Sequence, residues 1–140
     1  MVPDRGGRTS LHVAVLDGDL PRVRALAADE QQLNRADNRG FTPLHFAAQK
    51  QDAAIAELLL EAGCGVDPVD SFGNTPLWTA VYNTEDDGSV IRLLRARGAD
   101  PWHRNTSGNS PVYLARLIAN VDVARFFADL PSEQPDGERV

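Results

Sequence analysis

The chain of 140 residues carries a single cysteine, Cys64, so no internal disulfide framework holds it together and burial of apolar surface has to. Long hydrophobic runs are missing too. No stretch approaches the ~18 apolar residues that a membrane-spanning helix needs, and the opening MVPDRGG has no apolar segment of the kind a secretory signal requires. Together with the lone cysteine, these absences lead us to expect a cytoplasmic protein. Lysine is nearly absent. Of 14 cationic residues only Lys50 is a lysine, an arginine bias that fits a GC-rich bacterial genome. An excess of positive charge is lacking as well: acidic residues outnumber basic ones by 20 to 14, a formal charge of −6. Such a surface repels nucleic-acid phosphates and anionic membranes, so neither is expected as a partner. What remains is 42 % hydrophobic and 24 % charged, an ordinary globular composition for one domain with a core.

That composition is arranged in repeats. Thr9-Ser10-Leu11-His12-Val13-Ala14, Thr42-Pro43-Leu44-His45-Phe46-Ala47 and Thr75-Pro76-Leu77-Trp78-Thr79-Ala80 start 33 residues apart, and Ser110-Pro111-Val112-Tyr113-Leu114-Ala115 follows after 35. A second segment also recurs, as Ile55 to Gly63 and as Val90 to Gly98, with apolar residues at helical spacing and a glycine where a left-handed C-cap would end the helix. Between units stand Asp37-Asn38-Arg39-Gly40, Asp70-Ser71-Phe72-Gly73 and Asn105-Thr106-Ser107-Gly108, each with an Asx residue three before a glycine, as a tight turn favours. The Thr or Ser opening each motif suits a helix N-cap, and the Pro after it loses no hydrogen bond in the first turn.

On these motifs the chain resembles the ankyrin-repeat proteins. The resemblance implies an all-α solenoid of four helix-turn-helix repeats with β-turn hairpin tips, filling residues 1–131 as units of about 4–36, 37–69, 70–104 and 105–131, with 132–140 as a disordered tail. The first helices are predicted over Ser10 to Leu16, Pro43 to Lys50, Pro76 to Tyr82 and Pro111 to Ile118. The second helices are predicted over Leu20 to Ala28, Ala54 to Ala62, Ser89 to Arg97 and Val121 to Asp129. Leu58 is assigned to the inter-helix core. Three departures stand out. Asp29 to Leu33 replaces a glycine cap, Asn83 to Gly88 lengthens the third internal turn by two residues, and the fourth unit, with Phe126 and Phe127, has no repeat beyond it.

Candidate chemistry is sparse. In the family, the His of the motif bonds to the helix start and the adjacent turn, which is the role implied for His12 and His45; on successive repeats they stand too far apart to share a zinc ion bound at ~2.0 Å. Cys64 has no base beside it in sequence and reads as a small packing residue. Asp67 to Gly73 resembles a calcium loop, but Thr79 stands where the ligating Glu would be. Asn105-Thr106-Ser107 spells a glycosylation sequon without the secretory context that would use it. No catalytic residue, metal ligand or cofactor is therefore expected. An enzyme built on His103 and Asp100 is the remote alternative.

In the family, the hairpin tips and the exposed side of the first helices bind other proteins. On this chain those positions are Asn38, Arg39, Phe41, Gln49 and Lys50, then Ser71, Phe72, Asn74, Tyr82 and Asn83, then Thr106, Ser107, Asn109, Leu117 and Ile118. Aromatic anchors are expected at Phe41, Phe72, Trp78, Tyr82 and Trp102, centred on the third repeat and flanked by Arg39 and Arg104. Glu85, Asp86 and Asp87 form an acidic side to that surface. The functional expectation is a non-enzymatic module, monomeric when free, that binds and neutralises or regulates a partner protein. The net charge favours a basic partner, such as a toxin held by a bacterial immunity protein. An adaptor bridging two proteins is the alternative.

Overall fold

The computed structural model describes residues 6–84, 87–118 and 122–132, and the account below concerns these. Helices come in pairs. α1 (Ser10–Leu16) and α2 (Leu20–Leu26) are followed by a short α3 (Glu30–Leu33); α4 (Pro43–Gln49) pairs with α5 (Ala53–Glu61), and α6 (Pro76–Asn83) with α7 (Ser89–Ala96). α8 (Pro111–Leu117) pairs with a 3-10 helix, Val123–Phe127, and no strand occurs among the described residues. Each first helix starts as its cap dictates. The side chains of Thr9, Thr42, Thr75 and Ser110 accept the backbone N–H of His12, His45, Trp78 and Tyr113, closing the first turn.

The first helices stack in the order α1, α4, α6, α8, and α2, α5 and α7 form the layer behind them. Leu11, Leu44 and Leu77 fill the space between the layers, while Ala14, Ala47, Ala80 and Ala115, all buried, let successive first helices approach closely. The result is one continuous core, as a solenoid requires, since a single helix pair cannot bury its own apolar face. Between repeats, Asp37, Asp70 and Asn105 each accept two backbone N–H groups of their own turn, from Arg39 and Phe41, Phe72 and Asn74, and Ser107 and Asn109 respectively. The tips are also tied to one another, the Ser71 amide donating to the Arg39 carbonyl at 2.9 Å and the Thr106 amide to the Phe72 carbonyl at 3.0 Å. At Gly73 both demands on glycine meet: φ is +79°, and an added Cβ would lie 2.9 Å from the Thr106 nitrogen.

Three expectations are corrected. α5 turns Leu59, not Leu58, fully into the core; Leu58 is half-buried at its margin. α2 stops at Leu26, and Asp29 caps a separate short helix whose Gln32 side chain reaches back to accept the Leu11 amide at 3.0 Å. The last helix is not an α-helix over Val121 to Asp129. The described part is a single 3-10 stretch, Val123–Phe127, and the expected start at Val121 lies outside the described residues, as do residues 133–140 of the expected tail. Two arginines of α7, exposed Arg92 and half-buried Arg95, reach the terminal unit. Arg92 lies 5.3 Å from the Phe126 ring centre, and Arg95 grips Asp129 with both terminal nitrogens, at 2.7 and 3.0 Å, while donating to the Phe126 carbonyl. Together they fasten the terminal unit to α7.

Candidate partner-binding surface

The inner face is built by the motif's fourth residue and its neighbours. In the first two repeats that residue is a histidine whose Nδ1 accepts the amide of the capping threonine, Thr9 at 3.0 Å and Thr42 at 3.1 Å. Accepting there places the ring proton on Nε2, which donates to a carbonyl of the next repeat, Phe41 or Asn74, at 2.9 Å. Burial holds both imidazoles below the usual histidine range, so His12 and His45 are neutral struts between repeats. The third repeat has Trp78 instead, and the fourth Tyr113. Neither ring offers Nδ1, and the inner face changes character at this point.

Trp78 lies flat against Tyr82, one turn along α6, with ring centres 5.3 Å apart and planes at 12°. This stack forms one wall of a groove of about 390 Å³ that also takes in Phe72 from the tip, Gln49 from α4, and Arg8 and Arg39 at its far end. Phe72 is 59 % exposed and Tyr82 64 %. The apolar surface continues onto α8, where Tyr113 and Leu117, one turn apart, are 52 % and 63 % exposed. Large apolar side chains left in water along one face are uncommon on a protein without a partner.

Of the residues singled out from sequence, the groove gathers Arg39, Phe41, Phe72, Asn74, Trp78, Tyr82 and Asn83. Two of these differ from expectation in exposure. Phe41 is half-buried, its ring edge-on to His45 at 5.7 Å and tilted against Phe46 at 5.6 Å, and Asn74 is buried, its side-chain oxygen accepting from Asn105. Asn83 donates its side-chain amide to the Thr79 carbonyl. Trp102 and Arg104 are not part of the groove lining; Trp102 is half-buried against the core. Asp87 accepts the backbone and side-chain donors of Ser89, which hold its carboxyl below the usual range, and its carbonyl accepts from Arg92. Glu85 and Asp86 lie outside the described residues.

Arg8 and Tyr113 went unremarked in sequence although the repeat register points to both: Arg8 precedes Thr9 as Phe41 precedes Thr42, and Tyr113 stands where Trp78 does. Elsewhere the chemistry is structural. Burial pushes the Cys64 thiol up to about 11, far from a nucleophile's range. The Asp100 carboxylate accepts the Trp102 amide at 2.9 Å and His103 Nε2 donates to the Gly73 carbonyl at 3.1 Å, so both pieces of the remote enzyme reading are engaged by backbone. Among the described residues, no group of three or more potential metal ligands occurs and no helix is long and apolar enough to cross a membrane.

Comparison with known proteins agrees with this architecture. Residues 2–70 match a family model described as ankyrin repeats in three copies, and residues 72–106 match the single ankyrin repeat. The chain belongs to the ankyrin-repeat family. It is 44 % identical over 78 residues to the NF-kappa-B inhibitor alpha of Gallus gallus, covering 53 % of this chain and 24 % of that protein. It is 31 % identical to the NF-kappa-B inhibitor alpha of Sus scrofa across 92 % of this chain and 45 % of that one. The tyrosine-protein kinase Shark of Drosophila melanogaster is 32 % identical across 88 % of this chain but only 13 % of its own length. The chain thus spans less than half the length of these relatives. Repeats of this family make the chain a protein–protein interaction module.

Proposed function

We propose that the protein binds a partner protein across the face formed by its hairpin tips and first helices, centred on the third repeat, and regulates that partner by covering it. The observation that carries this reading is the row of exposed apolar side chains, Phe72, Tyr82, Tyr113 and Leu117, that follows one face through two repeats. Truncating a central aromatic anchor at such a surface costs roughly 2 kcal/mol or more of binding. The similarity to proteins named as inhibitors supports regulation over mere tethering. A bacterial immunity protein that masks a basic toxin in the cytoplasm, itself a monomer until bound, is the form of this reading that the charge of −6 and the arginine bias favour, since opposite net charge speeds encounter.

The test is affinity capture from native lysate with the wild-type chain, with Phe72→Ala and Tyr82→Ala together, and with Arg24→Ala and Glu57→Ala together on the exposed second-helix face. A partner held by the wild type and by the second-helix variant but lost by the aromatic variant is the expected result. Retention by the aromatic variant and loss by the other would place the interface on the opposite face.

A further inference from the structure

The groove is electrically unlike the rest of the chain. Although the protein carries −6 overall, exposed carboxylates such as Asp17, Asp19, Glu57 and Glu61 stand on turns and second helices and are not among the residues that line the groove. The two carboxylates that do line it are committed: Asp37 and Asp70 each accept two amides of their own turn, and Asp70 is buried. The charges presented at its far end are cationic. The guanidinium of Arg8 stands 5.5 Å from the Phe46 ring centre, and Arg39 is exposed at the second tip, outside the Arg95–Asp129 and Arg97–Glu61 ion pairs. From this end the face runs to the Trp78–Tyr82 stack and on to Tyr113 and Leu117.

Building on the binding reading above, we propose that the groove seats an extended acidic–apolar segment of the partner, its Asp or Glu side chain paired with Arg39 and its bulky apolar residues on Tyr82 and Leu117. The spacing fits a short segment. Packed helices stand about 8–10 Å apart, so the two steps from the second repeat to the fourth cover roughly 20 Å, about six extended residues. A carboxylate matches the flat, forked donor set of arginine, and the aromatic shelf supplies apolar area that a charged segment alone would leave wet. A partner that is basic as a whole and acidic in this one segment is steered by the net charge and selected by the local one.

The experiment selects a phage-displayed library of random dodecapeptides on the full chain, then measures dye-labelled synthetic copies of the enriched sequences by fluorescence anisotropy. We expect enriched peptides to place Asp or Glu within a few residues of Leu, Ile, Phe or Trp. Their affinity should fall at least tenfold in Arg39→Glu and in Tyr82→Ala, weaken as salt is raised for the wild type, and lose that salt dependence in Arg39→Ala. Both side chains are exposed, so unchanged circular dichroism and melting serve as the folding control. Basic peptides that need Tyr82 and bind Arg39→Glu more tightly would overturn the acidic–apolar assignment while leaving the groove as the binding face. Peptides indifferent to both substitutions would overturn the face itself, and the absence of any enriched family would overturn recognition of a short segment.

Discussion

Replacing Trp78 by histidine should stabilise the protein even though it removes the largest side chain of the groove. In the first two repeats the histidine at this position accepts a buried threonine amide and donates to a carbonyl of the next repeat. In the third, Thr75 is fully buried and its amide meets no acceptor among the described residues, while Trp78 Nε1 is itself buried without a partner. An unmet buried donor costs about 1–3 kcal/mol, and Trp78→His removes two of them. The new imidazole can also donate to the Asn109 carbonyl, for about 1 kcal/mol more. Against this stands the lost indole surface, roughly 100 Å² at ~25 cal/mol/Å², or about 2.5 kcal/mol. Half-buried as it is, Trp78 forfeits no more than that, and a net gain of roughly 0.5–4.5 kcal/mol remains, a rise in Tm of about 2–15 °C for a domain this size. Scanning calorimetry would measure it, with Trp78→Phe as the comparison, since phenylalanine removes the orphaned indole N–H but offers nothing to Thr75. A Tm lowered by several degrees with helicity intact would refute the reasoning and mean that the Trp78–Tyr82 stack outweighs the missing strut.

Leu59→Ala should cost about 2–5 kcal/mol in urea unfolding and Leu58→Ala less than half of that, because only Leu59 lies wholly inside; equal losses would place α5 in the wrong register. Gly88→Ala should cost about 2–4 kcal/mol, since Gly88 has φ +63° and an added Cβ would meet the Phe126 ring at 2.4 Å; removing the ring with Phe126→Ala in the same chain should recover part of the loss. The buried histidines set a pH dependence. With both folded-state values depressed, their contribution is complete above the unfolded value near ~6.5 and is lost as pH falls below it toward the folded ones. The loss reaches at most about 1.4 kcal/mol per pH unit for each histidine, and a stability unchanged between pH 7.5 and 5 would contradict the neutral-strut role.

Most of the helical plan was legible in the sequence because its signals are local. A capping Thr with Pro behind it, or a glycine after a run of apolar residues, acts within one turn of chain, and α1 begins and ends where Ser10 and Leu16 predict. The exceptions arose where a distant residue intervenes. Which of Leu58 and Leu59 points inward depends on how α5 is rotated against α2 and α7, and the terminal unit is drawn onto α7 by Arg92 and Arg95, residues 31 or more positions before the groups they hold.

The candidate surface divides along the same line. The sequence by itself determined the repeat length, the class of fold, the turns built on Asp37, Asp70 and Asn105, and the rows of equivalent positions from which any inner face must be drawn, since periodicity needs no knowledge of neighbours. Only the tertiary structure decided which members of those rows meet. It buried Asn74 and half-buried Phe41 beneath the tip above them, left Trp102 and Arg104 out of the groove, and brought Arg8 to the same opening as Arg39. The physical reason is that exposure is a property of the stack. A side chain on one repeat is covered or left bare by the next, and that depends on how closely alanines such as Ala47 and Ala80 let the helices approach.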